Sequence, residues 1–233
     1  MKINYWNKTE KVLGVLGLSP YATIDFLKKL ADVTPAKKDW EHIRVIMDLN
    51  TKIPSRGRCL DLNEENPSKY MNNSIKELIS QGVDVIVVPC NTSHYFYDNF
   101  VLNIKIPVLN IVQETSRFIL TNFPKIRNVG IMASKNTIKH GLYDKFIDKL
   151  KITIPSNQNE VSDIIENVKI GNDGKKTKKI AMNIANKLVD KGAEGIILGC
   201  TEIPPVINSD DLSVPIFDSN KILALSCLRM ITK

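Results

Sequence analysis

Gly82-Val83-Asp84-Val85-Ile86-Val87-Val88-Pro89-Cys90-Asn91-Thr92 returns 110 residues later as Gly192-Ala193-Glu194-Gly195-Ile196-Ile197-Leu198-Gly199-Cys200-Thr201-Glu202. Each copy holds a glycine, an acid two residues on, an apolar run, and a cysteine followed by small polar residues. The apolar runs are short, rich in β-branched residues and almost free of polar ones, which is how a strand buried on both faces reads. A second pair of segments repeats at nearly the same offset: Ile106-Pro107-Val108-Leu109-Asn110 and Val214-Pro215-Ile216-Phe217-Asp218. The strand Asn128-Val129-Gly130-Ile131-Met132-Ala133-Ser134 answers Val12-Leu13-Gly14-Val15-Leu16-Gly17. Three elements repeating in one order imply two homologous half-chains.

Between these strands the pattern is helical. Residues 23–30, 70–81, 141–150 and 175–191 read as helices, the second and last stopped by Gly82 and Gly192. Residues 42–49 and 106–111 read as further strands. Alternating strands and helices give an α/β fold with parallel sheets and right-handed crossovers. The expected architecture is two pseudo-symmetric doubly wound parallel-sheet domains with the active site in the cleft between them. Residues 1–113 and 217–233 form the first domain with Cys90, and 114–216 the second with Cys200. Ligands of such sheets gather beyond the carboxyl ends of the strands, where both cysteines fall.

The 233 residues are 43% hydrophobic, ordinary for a globular chain, and no apolar run approaches the roughly 20 residues of a membrane span. Met1-Lys2-Ile3-Asn4-Tyr5-Trp6-Asn7-Lys8 has no apolar signal core, so a cytoplasmic location is expected. Cys59, Cys90, Cys200 and Cys227 form no CxxC pair, which argues against zinc and against a disulfide framework. The net charge of +7 is scattered, densest at Lys175, Lys176, Lys178 and Lys179. No aromatic side chain interleaves there as a base-stacking surface requires, so that run reads as a solvated helix start and nucleic acid is not an expected partner. Gly14 and Gly17 make no GxGxxG, and no phosphate-binding P-loop is present.

Two matched thiols in one cleft suit a reaction that needs a base on one face of a carbon and an acid on the other. A helix N-terminus after each strand is expected to lower the thiol pKa. Asn91, Thr92 and Ser93 after Cys90, and Thr201 after Cys200, are capping and anion-binding types. His94 lies four residues from Cys90 but has no counterpart after Cys200; it reads as a packed, hydrogen-bonded structural histidine. Cys59 and Cys227 read as packing residues.

Val88-Pro89-Cys90-Asn91-Thr92-Ser93-His94 and Leu198-Gly199-Cys200-Thr201-Glu202-Ile203-Pro204 resemble the two signature segments of the aspartate/glutamate racemase superfamily, most closely its aspartate racemase and broad-specificity branch. The glutamate racemase branch typically has histidine where Glu202 stands. The likeness runs from Leu13 to about Pro215 and takes in Thr34-Pro35-Ala36, Ile53-Pro54-Ser55-Arg56 and Val168-Lys169-Ile170-Gly171. It implies a cofactor-independent racemase of acidic amino acids, aspartate and possibly glutamate, usually homodimeric, with no metal. Cys90 and Cys200 would be the catalytic acid/base pair. Arg56 and Lys169 would hold the distal carboxylate of a dicarboxylic amino acid. Asn91, Thr92 and Thr201, with Ser134 and Thr137 from a second-half loop, would bind its α-carboxylate and amino group. Gly17-Leu18-Ser19-Pro20 stands where the family commonly has Gly-Gly-Met-Gly-Pro, so Ser19 would supply a hydroxyl there. Ser55-Arg56-Gly57 departs from the common Asp-Arg-Thr. Two other activities fit this scaffold: a maleate-type cis-trans isomerase, using one cysteine as nucleophile, and a catalytically silent ligand-binding homologue.

Overall fold

The computed structural model describes residues 10–207, 210 and 212–232; the N-terminal segment read above for a signal core lies outside them. Among the described residues the strands form two four-stranded sheets, every pairing parallel. The first sheet holds β1 (Leu13–Gly17), β2 (Val45–Leu49), β3 (Val85–Val87) and β4 (Val108–Leu109) in the order β2-β1-β3-β4. The second holds β5 (Asn128–Ala133), β6 (Lys151–Thr153), β7 (Ile196–Gly199) and β8 (Ile216–Asp218) in the order β6-β5-β7-β8. The two halves therefore share one topology.

The repeated residues explain why. Gly82 and Gly192 lie at φ +89° and +87°, where only glycine sits without strain, and each turns the chain from a helix into the central strand. Those helices are α3 (Ser68–Ser80) and α8 (Lys175–Asp190). The acids that follow are structural: Asp84 accepts a hydrogen bond from Val12 N–H at 2.7 Å, and Glu194 accepts from Arg127 and Asn128 N–H at 2.5 and 3.0 Å. Each acid ties the entrance of its strand to that of the neighbouring one.

The remaining helices are α1 (Pro20–Val33), α2 (Arg56–Leu62), α4 (Tyr97–Phe100), α5 (Ile111–Asn122), α6 (Lys135–Lys139), α7 (Gln158–Lys169) and α9 (Ser219–Ile231). The expected strand 106–111 is shorter than its pattern: after β4, Asn110 caps α5, its side chain accepting from Val112 and Gln113 N–H. Asp218, the matching residue after β8, caps α9 in the same way through Asn220 and Lys221 N–H.

The expected helix 141–150 is not formed. Gly141 (φ +55°) ends α6 in a Schellman turn, with Gly141 N–H on Ile138 C=O and Leu142 N–H on Thr137 C=O. A run of turns follows whose apolar spacing buries Leu142, Tyr143 and Ile147 without a helix.

One apolar core joins the halves. It contains Leu13, Val15, Val85 and Val87 of the first sheet, Val129, Ile131, Ile197 and Phe217 of the second, and Ile111, Ile119, Leu223 and Cys227 of α5 and α9. Cys227 is fully buried there, and Cys59 packs half-buried against a separate first-half core. Among the described residues no helix is long and apolar enough to cross a membrane.

Candidate active site

β3 and β7 end just before Cys90 and Cys200, and both cysteines line one cavity of about 400 Å³ at the carboxyl ends of the sheets. Its other walls come from α2, the turn entering α6, and α7. Of the residues singled out in the sequence, Arg56, Asn91, Thr92, Ser134, Lys169 and Thr201 line it too. Two do not. Thr137 is buried behind the wall, its hydroxyl 3.2 Å from that of Thr92 and 3.0 Å from that of Ser134, with Thr92 and Ser134 2.8 Å apart. Ser19 is absent from the lining: it stands at the N-cap of α1, where its carbonyl accepts from Thr23 N–H and Oγ1–H.

Asn91 is committed to the fold. Tyr143 O–H donates to its Oδ1 at 2.7 Å, and its Nδ2 donates to Ser219 Oγ at 3.0 Å, which in turn donates to Leu198 C=O. This chain ties the Cys90 turn to the second sheet, using one donor and one acceptor of an amide that also lines the cavity.

Sequence reasoning gave no site role to Arg58, Asp61, Lys135, Asn136, Glu166 or Glu202, all of which line the cavity. Asp61 and Asn136 meet across it, Asn136 Nδ2 donating to Asp61 Oδ2 at 2.9 Å. Arg58 is held by Glu64 outside the cavity, and Lys169 pairs with Glu166 at 2.7 Å. Arg56 has no carboxylate partner among the described residues; its guanidinium donates only to Pro54 C=O, at 3.4 Å. An unpaired guanidinium in a concave site is poised to receive a carboxylate.

The two thiols have different surroundings. Each is followed by a 3₁₀ turn (Thr92–Phe96 and Pro204–Val206) instead of the α-helix the sequence suggests. The helix-dipole expectation fails for Cys200: burial first, then the neighbouring Glu202 carboxylate, push its thiol well above the ordinary range. Cys200 Sγ donates to Glu202 Oε2 at 3.0 Å, and Thr201 Oγ1 lies 3.3 Å from the same oxygen. Burial draws the Lys169 ammonium down, but Glu166, Glu202 and Cys200 together outweigh it, so the net shift is upward and the group stays charged.

Two parallel sheets related by a repeat thus place one cysteine after each central strand, and both thiols on one cavity that also holds Arg56 and Lys169. The sequence profile of the Asp/Glu/hydantoin racemase family matches residues 15–227, so the chain belongs to that family and is an amino-acid racemase by class. It is 26% identical over 223 residues to the broad specificity amino-acid racemase RacX of Bacillus subtilis (strain 168), covering 92% of this chain and 96% of that one. Among solved structures it is similar to the Picrophilus torridus aspartate racemase, with a TM-score of 0.88 at 30% identity over 96% of this chain and 95% of the other. It is also similar to an aspartate racemase homologue from Pyrococcus horikoshii OT3, with a TM-score of 0.77 at 26% identity over 96% of this chain and all of the other.

Proposed function

We propose that the protein interconverts the enantiomers of an acidic amino acid, aspartate first, by a two-base mechanism. One cysteine removes the α-proton as a thiolate, and the other delivers a proton to the opposite face as a thiol. Roles exchange with the direction of reaction. The observation that carries this reading is the pairing of Cys90 and Cys200 in one cavity that also holds the unpaired Arg56. Arg56 receives the distal carboxylate, with Lys169 adding a point charge from α7. Thr92, Ser134 and Thr201 offer hydroxyls to the α-carboxylate and ammonium. No cofactor takes part in this scheme; fixed donors and cations stabilise the carbanion-like state, which is worth most where water is excluded. Cys200, held protonated by burial and Glu202, is the resting acid.

Aspartate is favoured because the Picrophilus torridus protein carries that name. Glutamate adds one methylene, a difference a pocket resolves by only about 1–3 kcal/mol. The test is α-hydrogen exchange in deuterated water, followed by NMR from each enantiomer of aspartate and glutamate. Cys90→Ser and Cys200→Ser should each lower racemisation by about 100-fold or more. Full racemisation in both variants would sink the two-base assignment. A covalent maleate adduct on either cysteine, with no α-exchange in the wild type, would replace it with isomerase chemistry.

A further inference from the structure

Among the described residues, only one of the two thiols has a carboxylate on its sulfur. Cys200 and Glu202 are 8% and 6% exposed, and Sγ and Oε2 are 3.0 Å apart. In the first half the matching position is Thr92, whose hydroxyl bonds to Ser134 and Thr137. His94, the base nearest Cys90 in sequence, has both ring nitrogens engaged away from the sulfur: Nδ1 donates to the Cys90 carbonyl and Nε2 accepts from Ile111 N–H. The repeat is thus broken at the residue beside the second sulfur.

A thiolate and a carboxylate cannot both be charged at this separation in a buried position, so the pair holds at least one proton between them. We propose that Glu202 is the proton-holding partner of Cys200: Cys200 becomes a base when their shared proton moves to Glu202 Oε2. The inference rests on the two-base reading above. In the step, the Sγ–H bond breaks, an O–H bond forms on Glu202, and sulfur keeps the electron pair. That thiolate takes the substrate α-proton while Cys90 supplies a proton to the other face. Glu202 touches no reacting carbon and is a positioning residue. The charged groups facing the pair are Lys169 and Glu166 on α7, Cys90, and, on the cavity's other walls, Arg56, Arg58, Asp61 and Lys135.

Enantiomers have equal free energies in water, so any variant must lose kcat/KM equally in both directions; comparing the two directions cannot reveal the role of Glu202. The pH dependence can. While one proton is shared, the fraction of Cys200 present as thiolate does not change with pH. With the carboxylate replaced by an amide, that fraction rises about tenfold per pH unit below the thiol pKa. The experiment is iodoacetamide labelling of Cys200 from pH 6 to 8, read by peptide mass, in three proteins that all carry Cys90→Ser. One keeps Glu202, the second adds Glu202→Gln and the third adds Glu202→Asp. A flat rate with Glu202 and with Glu202→Asp, against a rise of about tenfold per unit with Glu202→Gln, is the expected result. Equal slopes in all three overturn the proposal. In the enzyme with Cys90 intact, Glu202→Gln should lower kcat/KM about 100-fold for both enantiomers, with circular dichroism unchanged; full activity also overturns it. If the wild type exchanges no α-hydrogen, the racemase reading fails, while the labelling slopes still report on the Cys200–Glu202 pair.

Discussion

His94 shows how a base close in sequence to a cavity thiol can be wholly taken up by the fold. It is 7% exposed and lies in the 3₁₀ turn after Cys90, with Nδ1 donating to Cys90 C=O at 2.8 Å and Nε2 accepting from Ile111 N–H at 3.4 Å. Its ring stacks on Tyr97. Burial, partly opposed by its backbone bonds, pushes its pKa down from 6.5 to about 4. Below pH 6.5 the unfolded chain takes up a proton that the folded chain refuses, so stability is full above that value and falls as pH drops toward 4. The loss is about 3 kcal/mol across that window. Urea titrations at pH 7, 5 and 4 should show it, and His94→Asn should flatten the dependence. The structural reading of His94 is legible in the sequence because the second copy has no partner for it. The roles of Asn91 and Glu202 are not. The fate of Asn91 is decided by Tyr143 and Ser219, far away in sequence. Glu202 reads in the sequence only as the residue that sets the chain apart from the glutamate racemase branch, and only its place in space puts its oxygen on sulfur.

At the scale of elements, the repeat translates into backbone requirements more faithfully than into side-chain contacts. A Cβ added at Gly192 would come no closer than 3.7 Å to Asn128 Nδ2, so space is not what excludes a side chain there; the positive φ is. Gly192→Ala should therefore cost about 1–2 kcal/mol, seen as a lower Tm with an unchanged fold. Strands β1, β3, β5 and β7 and helices α1, α3 and α8 are readable because one periodicity governs each. The segment 141–150 misleads for the same reason: Leu142, Tyr143 and Ile147 have helical spacing, but Gly141 has already closed the preceding helix and the chain buries those residues through turns. At 106–111 the strand pattern absorbs Asn110, whose short polar side chain caps a helix.

At the scale of the molecule, the offset of 110 residues announces two halves, and the sheets follow it. What the offset does not reveal is the core they share, because α9 packs against strands of both sheets and α5 packs on α9. Halves joined by a common core unfold together. Urea unfolding followed by far-UV circular dichroism and by tyrosine fluorescence should give coincident transitions; two separated transitions would show the halves to be independent.

Helix α2 stands apart from that core: it has no buried residue, yet it carries Arg56, and the Asn136–Asp61 bond ties it across the cavity. Only the half-buried Cys59 and Leu60 anchor it, against the first-half core, so the wall that carries Arg56 takes no part in the core the two halves share. This is also the stretch where Ser55-Arg56-Gly57 differs from the Asp-Arg-Thr common in the family. Substitutions on the exposed face of this short helix can therefore reshape one wall of the cavity without opening a void beneath Cys90 and Cys200.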